Sequence, residues 1–345
     1  MTDLSPGGTL PAGGALSVLP ADHYLHPSLP TVWFGAVMFA LTMYLALDGF
    51  DFGIGLLYAT RDEEADRETL LAAFGPVWDA NEVWLVAFGT MLLAAFPRVY
   101  SKLLADHYLV TIAFVMALLF RGVAPELREQ RDEERWQRAC DRSFVAGSAL
   151  APLFFGLLAG SWVFAVSPVS LPAVLTGVGL VALSVVTGAA FLAAKTRPEL
   201  AASVSRYGIA ATAVYLVGVV ALLGVVVATD ASGAGTIRSI PGVAVVVLSA
   251  LAGCFGVVFA HREQYRAWLV SAFSLPILLA TLLGALLYPT IYPSTGLTVA
   301  DAAVSPLALN MTTVLGFPVL LVVLWYFRFL YGVFSGPVRS ESYSP

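Results

Sequence analysis

Nine apolar stretches, each long enough to cross a bilayer as a helix, recur along this 345-residue chain and dictate what it can fold into. They fall at roughly 31–58, 76–97, 106–125, 143–165, 170–194, 206–229, 240–260, 266–288 and 310–334. Hydrocarbon offers no water to backbone N–H and C=O groups, so each stretch must satisfy its own hydrogen bonds, and a helix does so. The expected fold is an all-α integral membrane protein with nine transmembrane helices. Composition agrees, with 59% hydrophobic and 12% charged residues and a mean hydropathy of +0.83. A water-soluble domain carries about a quarter charged residues.

Orientation follows from where the cations fall. Fourteen Lys and Arg residues lie in breaks on the side of the C-terminus, whereas only Arg98, Lys102 and Arg238 lie on the other side. The positive-inside rule then places the N-terminus outside and the C-terminus in the cytoplasm of a cell membrane. An odd number of spans is required for that, and nine is odd. Residues 1–30, rich in Gly, Pro and Ala and without Lys or Arg, read as a flexible outer tail rather than a signal peptide. Residues 335–345 read as a cytoplasmic tail.

The net charge of -5 owes much to an acidic loop at 60–69, and no basic patch suggests nucleic acid. Cys140 and Cys254 lack the spacing of a metal or redox motif and read as structural thiols. Gly49/Gly53 and Gly156/Gly160, four apart, are places where helix backbones can approach closely.

The informative residues are ionisable ones inside apolar stretches, where a carboxylate costs about 3 kcal/mol to insert. Asp48 and Asp51 lie three apart in the first stretch, and Asp79 and Glu82 lie three apart in the second, beside Trp78 and Asn81. Arg121 closes the third. Alternating helix directions bring all five ionisable groups to the cytoplasmic leaflet. One arginine cannot neutralise four acids, so some of them are expected to be protonated or paired with another chain. Such a group suits a proton relay drawing on the cytoplasm. The plainer readings are a helix N-cap for Asp79, tight packing around Asp48 and Asp51, and a structural ion pair for Arg121. The four histidines, His23, His26, His107 and His261, all avoid the middle of an apolar stretch, so no haem or metal ligand is expected in this chain. No catalytic nucleophile, phosphate loop or metal motif appears either. From the residues alone, a proton-coupled membrane transporter is the alternative.

GFDFGIG (49–55), GPVWDANEVWL (75–85), YSKLLADHYLV (100–110), LLFRGVAPELR (118–128), ERWQRACDRSFVAGSALAPLFFGLLAGS (134–161) and LTVADAAVSPLALNMTTVLGFPVLLVVLWYFRFLYG (297–332) resemble subunit II of cytochrome bd-type ubiquinol oxidases. GAAFLAAKTRPEL (188–200) is similar to the form in the cyanide-insensitive branch. The resemblance implies two four-helix bundles, here 31–165 and 170–288, plus one peripheral helix at 310–334. It implies a haem-free chain paired with subunit I, which carries two b-type haems and one d-type haem, oxidises quinol and reduces oxygen. A small accessory subunit is a further partner the family suggests. Asp79 matches a residue on a cytoplasmic proton channel, and Glu82 stands where many members have Gln. With Asp48 and Asp51 these make the candidate proton pathway. Trp78, Asn81 and Arg121 form the candidate polar or quinone-binding cluster, with Trp78, Asp51 and Arg121 matching positions near a structural quinone or ordered solvent.

Overall fold

The computed structural model describes residues 19–334, so most of the outer tail and all of the C-terminal tail read from the sequence lie outside the described residues. Among these, the chain runs through α1 (Leu29–Tyr58), α2 (Glu64–Phe74), α3 (Trp78–Ala95), α4 (Pro97–Asp106), α5 (Tyr108–Arg128), α6 (Glu134–Phe164) and α7 (Leu171–Lys195). It continues through α8 (Pro198–Ala228), α9 (Ala234–Arg238), α10 (Ile240–His261), α11 (Tyr265–Leu286), α12 (Val299–Ala302) and α13 (Pro306–Val333). Eight of these helices are long and apolar enough to cross a bilayer. A ninth span exists if α3 and α4, bent by 119° at their junction, count as one. Pro97 disfavours helical backbone at Phe96, which sits at φ -134° and ψ 59°, and the chain turns aside there.

The acidic run read as a loop is mostly helix. Glu64 and Asp66 lie in the first turn of α2, where carboxylates suit the helix dipole, and Leu70, Ala73 and Phe74 bury its inner face. α2 therefore roofs the arginine-rich end of the molecule.

α1 and α7 cross at the centre, and each also packs on α6 and α11. Their contact is backbone on backbone: a Cβ added at Gly53 would lie 1.8 Å from the carbonyl oxygen of Ser184, and one at Gly188 would lie 2.8 Å from the Cα of Gly53. Gly156 and Gly160 likewise press α6 against Gly177 and Ala173 of α7. Gly49 has open space around its Cβ direction, so only one member of the Gly49/Gly53 pair makes a close approach.

α13 is peripheral and mostly exposed. Its N-terminal end is held by Asn310, fully buried, which donates to the carbonyls of Pro20 and His23 and accepts from the backbone N–H of Leu25. Trp33 adds a 2.8 Å hydrogen bond to Thr313. The last part of the expected outer tail is thus tied down. The loop after α11 is pinned by Trp162 donating to Ile291 O and by Tyr292 donating to Asp106. Burial, reinforced by the Asp106 contact, pushes the Tyr292 hydroxyl up and keeps it a donor.

Candidate functional site

Asp48 and Asp51 follow one another by three residues, so both project from one side of α1, toward α3 and α5. Arg121, one turn before the Pro125 step in α5, reaches in to meet them. Its Nη1 donates to Asp48 Oδ1 at 2.9 Å, and its Nη2 lies 3.7 Å from Asp51 Oδ2. Asn81 of α3 completes the far side, donating through Nδ2 to Asp51 Oδ2 at 2.9 Å. All four side chains are essentially sealed, with Asp48, Asp51 and Asn81 at 0% exposure and Arg121 at 2%. Apolar walls close the group, and the guanidinium lies over the Phe52 ring at 4.5 Å and near Trp78 at 6.0 Å.

The sequence offered no hint of a fifth member. Tyr331, near the end of α13, donates to Asn81 Oδ1 at 2.7 Å. Asn81 is thereby oriented, its carbonyl held by Tyr331 and its amide aimed at Asp51. α13 carries other polar side chains, among them Thr312, Thr313, Tyr326 and Arg328, and nothing in spacing ties residues 250 apart.

The group is not fully satisfied by protein. Asp48 Oδ2, Asp51 Oδ1, Arg121 Nε and Nη2 and the neighbouring Tyr44 hydroxyl have no hydrogen-bond partner among the described residues. Two carboxylates face one guanidinium, so the formal sum is one negative charge when both acids are ionised. Buried polar atoms are nearly always paired, and an uncompensated buried charge is costly.

The other two acids stand apart. Asp79 is on the exposed side of α3, in a stripe with Val83, Val86, Thr90 and Leu93. At 100° per residue it lies about 200° round the helix from Asn81. It makes no hydrogen bond or ion pair among the described residues, and it sits one residue inside the helix, past the N-cap position held by Val77. Glu82 is half-buried between these two faces. The structure thus joins Asp48, Asp51, Asn81 and Arg121 and leaves Asp79 facing outward.

Outside the buried group, a cleft of about 260 Å³ opens between α2, α3 and α5. Trp78 and Arg121 both line it, with Phe74 and Phe144 as apolar walls. Asn81 does not.

The histidines present do not fit a haem. His23, His26 and His261 are exposed, and His107 lies at the junction of α4 and α5 with Nδ1 against Leu103 O at 3.1 Å. No three His, Cys, Asp or Glu among the described residues are grouped to hold a metal ion.

Residues 29–334 match the family model for cytochrome bd terminal oxidase subunit II. Cytochrome bd ubiquinol oxidase subunit 2 of Bacillus subtilis is 38% identical over 134 residues, 38% of this chain and 39% of the relative. Cytochrome bd-I ubiquinol oxidase subunit 2 of Escherichia coli is 33% identical over 132 residues, 38% of this chain and 35% of the relative. These matched stretches span little more than a third of either curated relative. A chain of the bd oxidase from Geobacillus thermodenitrificans superposes with a TM-score of 0.75 at 15% identity, over 89% of this chain and 98% of that one, and so shares the fold.

Proposed function

This chain belongs to the cytochrome bd terminal oxidase subunit II family, and from that premise we propose that it is the haem-free subunit of a quinol:oxygen oxidoreductase, supporting a haem-bearing partner and carrying protons toward it. The observation that carries the reading is Asp79, an unpartnered carboxylate in the first turn of α3, at the head of the exposed stripe that continues through Val83, Val86 and Leu93. Lipid tails offer such a group no hydrogen-bond partner, so leaving it bare against them costs free energy. A second polypeptide laid against Val83, Val86 and Leu93 removes the exposure and gives Asp79 a polar neighbour.

On this reading the arginine-rich end faces the cytoplasm of the cell membrane, as the positive-inside rule requires. Protons enter from that end, where Asp48, Asp51 and Arg121 are gathered. Charge balance there calls for one proton on the carboxylate pair, and a site that must hold one proton can exchange it. Glu82, half-buried between the pair and Asp79, is the intermediate stepping stone. The haems, two of b type and one of d type, belong to the partner. There the redox chemistry turns quinol into quinone and oxygen into water, while this chain's residues only hold and pass protons.

The test is Asp79→Asn in the assembled complex. Oxygen consumption should fall by about 10²-fold, the lower range for loss of a positioned proton-transfer group, with the haem spectrum unchanged. Loss of haem with loss of activity would instead assign Asp79 to assembly. An undiminished rate with intact haem would remove it from the proton route.

A further inference from the structure

We propose that the arginine-rich end of α8 seats one anionic phospholipid, whose phosphate is taken by Arg206 and Tyr207 in front of an uncompensated Arg61, and whose acyl chain lies along the exposed stripe of α8. The site lies beyond the proton route and requires only that the chain sits in a membrane.

It starts from a charge without a counter-ion. Arg61, in the turn between α1 and α2, is 7% exposed, yet its guanidinium donates only to hydroxyls. Nη1 reaches Ser203 Oγ at 2.8 Å, and Nε and Nη2 reach Thr60 Oγ1 at 3.0 and 2.7 Å. The neighbouring arginines are paired: Arg67 and Arg128 share Glu64 and Asp141, and Arg197 holds Asp66. Arg61 makes no ion pair among the described residues. A charge held out of water without a partner is costly, and through a low-dielectric layer its pull on a nearby anion is strong.

Tyr207 of α8 marks where that anion sits. The Arg61 guanidinium lies 5.7 Å from the centre of the Tyr207 ring, and that ring is 42% exposed. Its hydroxyl makes no hydrogen bond, and the exposed Arg206 beside it makes no ion pair, among the described residues. Side chains on a helix lean toward its N-terminus, so both reach toward the arginine-rich end. The only acid of α8, Glu199, is seven residues back, about 10 Å along the axis. α10 packs on α8 and leads into a turn where Arg262 and Arg266 outnumber Glu263. A guanidinium fork matches phosphate oxygens, and basic pockets between spanning helices take anionic headgroups.

Arg206 alone would be an ordinary arginine reaching from the bilayer edge to water. Arg61, turned inward, is not, and the apolar surface beyond it selects a lipid. From Tyr207 the exposed face of α8 continues through Ala210, Ala213, Val214, Val217 and Val220 without a polar side chain. That is about 20 Å of helix, enough for one leaflet of a hydrocarbon core about 30 Å thick. Free phosphate gains nothing from that stripe. α8 packs chiefly on α7 and α10, whereas the stripe given to the partner polypeptide is on α3, so the two surfaces differ.

The test is native mass spectrometry of the assembled complex in detergent, titrated with phosphatidylglycerol, phosphatidylcholine or inorganic phosphate. Wild type should retain one phosphatidylglycerol more tightly than any phosphatidylcholine. Arg206→Gln and Arg61→Gln should each weaken that retention about fivefold, the worth of one basic side chain at an anionic surface. Phosphatidylcholine retention and the haem spectrum should stay as in wild type. Arg142→Gln, which removes an exposed arginine of α6, should change nothing. Equal retention of the two lipids would overturn the proposal, as would an Arg206→Gln variant that keeps phosphatidylglycerol as wild type does. An equal loss in Arg142→Gln would mean general attraction to a basic surface and no site. Inorganic phosphate displacing the lipid at equal concentration would make the site one for free anions and would also refute it.

Discussion

Arg121→Met is the most exposing perturbation of the buried site. The methionine keeps much of the side-chain volume between Phe52 and Trp78 and deletes the charge. The Asp48–Asp51 pair, at 0% exposure and sharing one proton, then keeps its negative charge with no cation beside it and with Asn81 as its side-chain donor. Removing one partner of a buried ion pair costs about 3–5 kcal/mol, because the remaining charge is left without compensation. At about 2 °C per kcal/mol for a chain of this size, the midpoint of thermal unfolding of the complex in nanodiscs should fall by about 5–10 °C. The charge argument makes a sharper claim than the loss itself. Asp48→Asn added to Arg121→Met removes the acid that Arg121 held most closely, at 2.9 Å, and should recover about half of the loss, since neighbouring groups couple by 0.5–3 kcal/mol. Asp48→Asn alone should cost less than Arg121→Met, because the guanidinium keeps Asp51 as a partner. If Arg121→Met melts within a degree of wild type, or the double variant is no more stable than the single one, the balance of two acids against one cation is wrong.

Three other outcomes follow from packing. Gly53→Ala drives a methyl into the backbone of α7 at Ser184 and should cost about 1–3 kcal/mol in thermal unfolding, as overpacked cores do. Gly49→Ala, with open space at the same helix face, should be neutral or stabilising by up to about 1 kcal/mol, as expected when alanine replaces glycine in a helix. Asn310→Ala removes three hydrogen bonds to residues 20–25, each worth about 1 kcal/mol, and should raise hydrogen exchange there while leaving the far end of α13 unchanged.

Much of this protein was open to inspection one residue at a time. A bilayer acts on every residue separately, charging for each exposed polar group, so spans, helical class and the side rich in arginine could be read from the string of amino acids. The family resemblance was similarly local, carried by runs such as GPVWDANEVWL. Asp48, Asp51 and Arg121 drew notice for the same reason, as charges where charges are expensive. Which of the acids meet was another matter. Asp79 and Asn81 are two apart in sequence yet face opposite ways, one outward and one into the buried pair, because a helix turns 100° per residue. Tyr331 joins Asn81 across 250 positions. The helix α2, which takes in most of the acidic run 60–69, likewise depended on neighbours that lie elsewhere in the chain. Burial and hydrogen bonding are properties of surroundings, and only the packed tertiary structure supplies them.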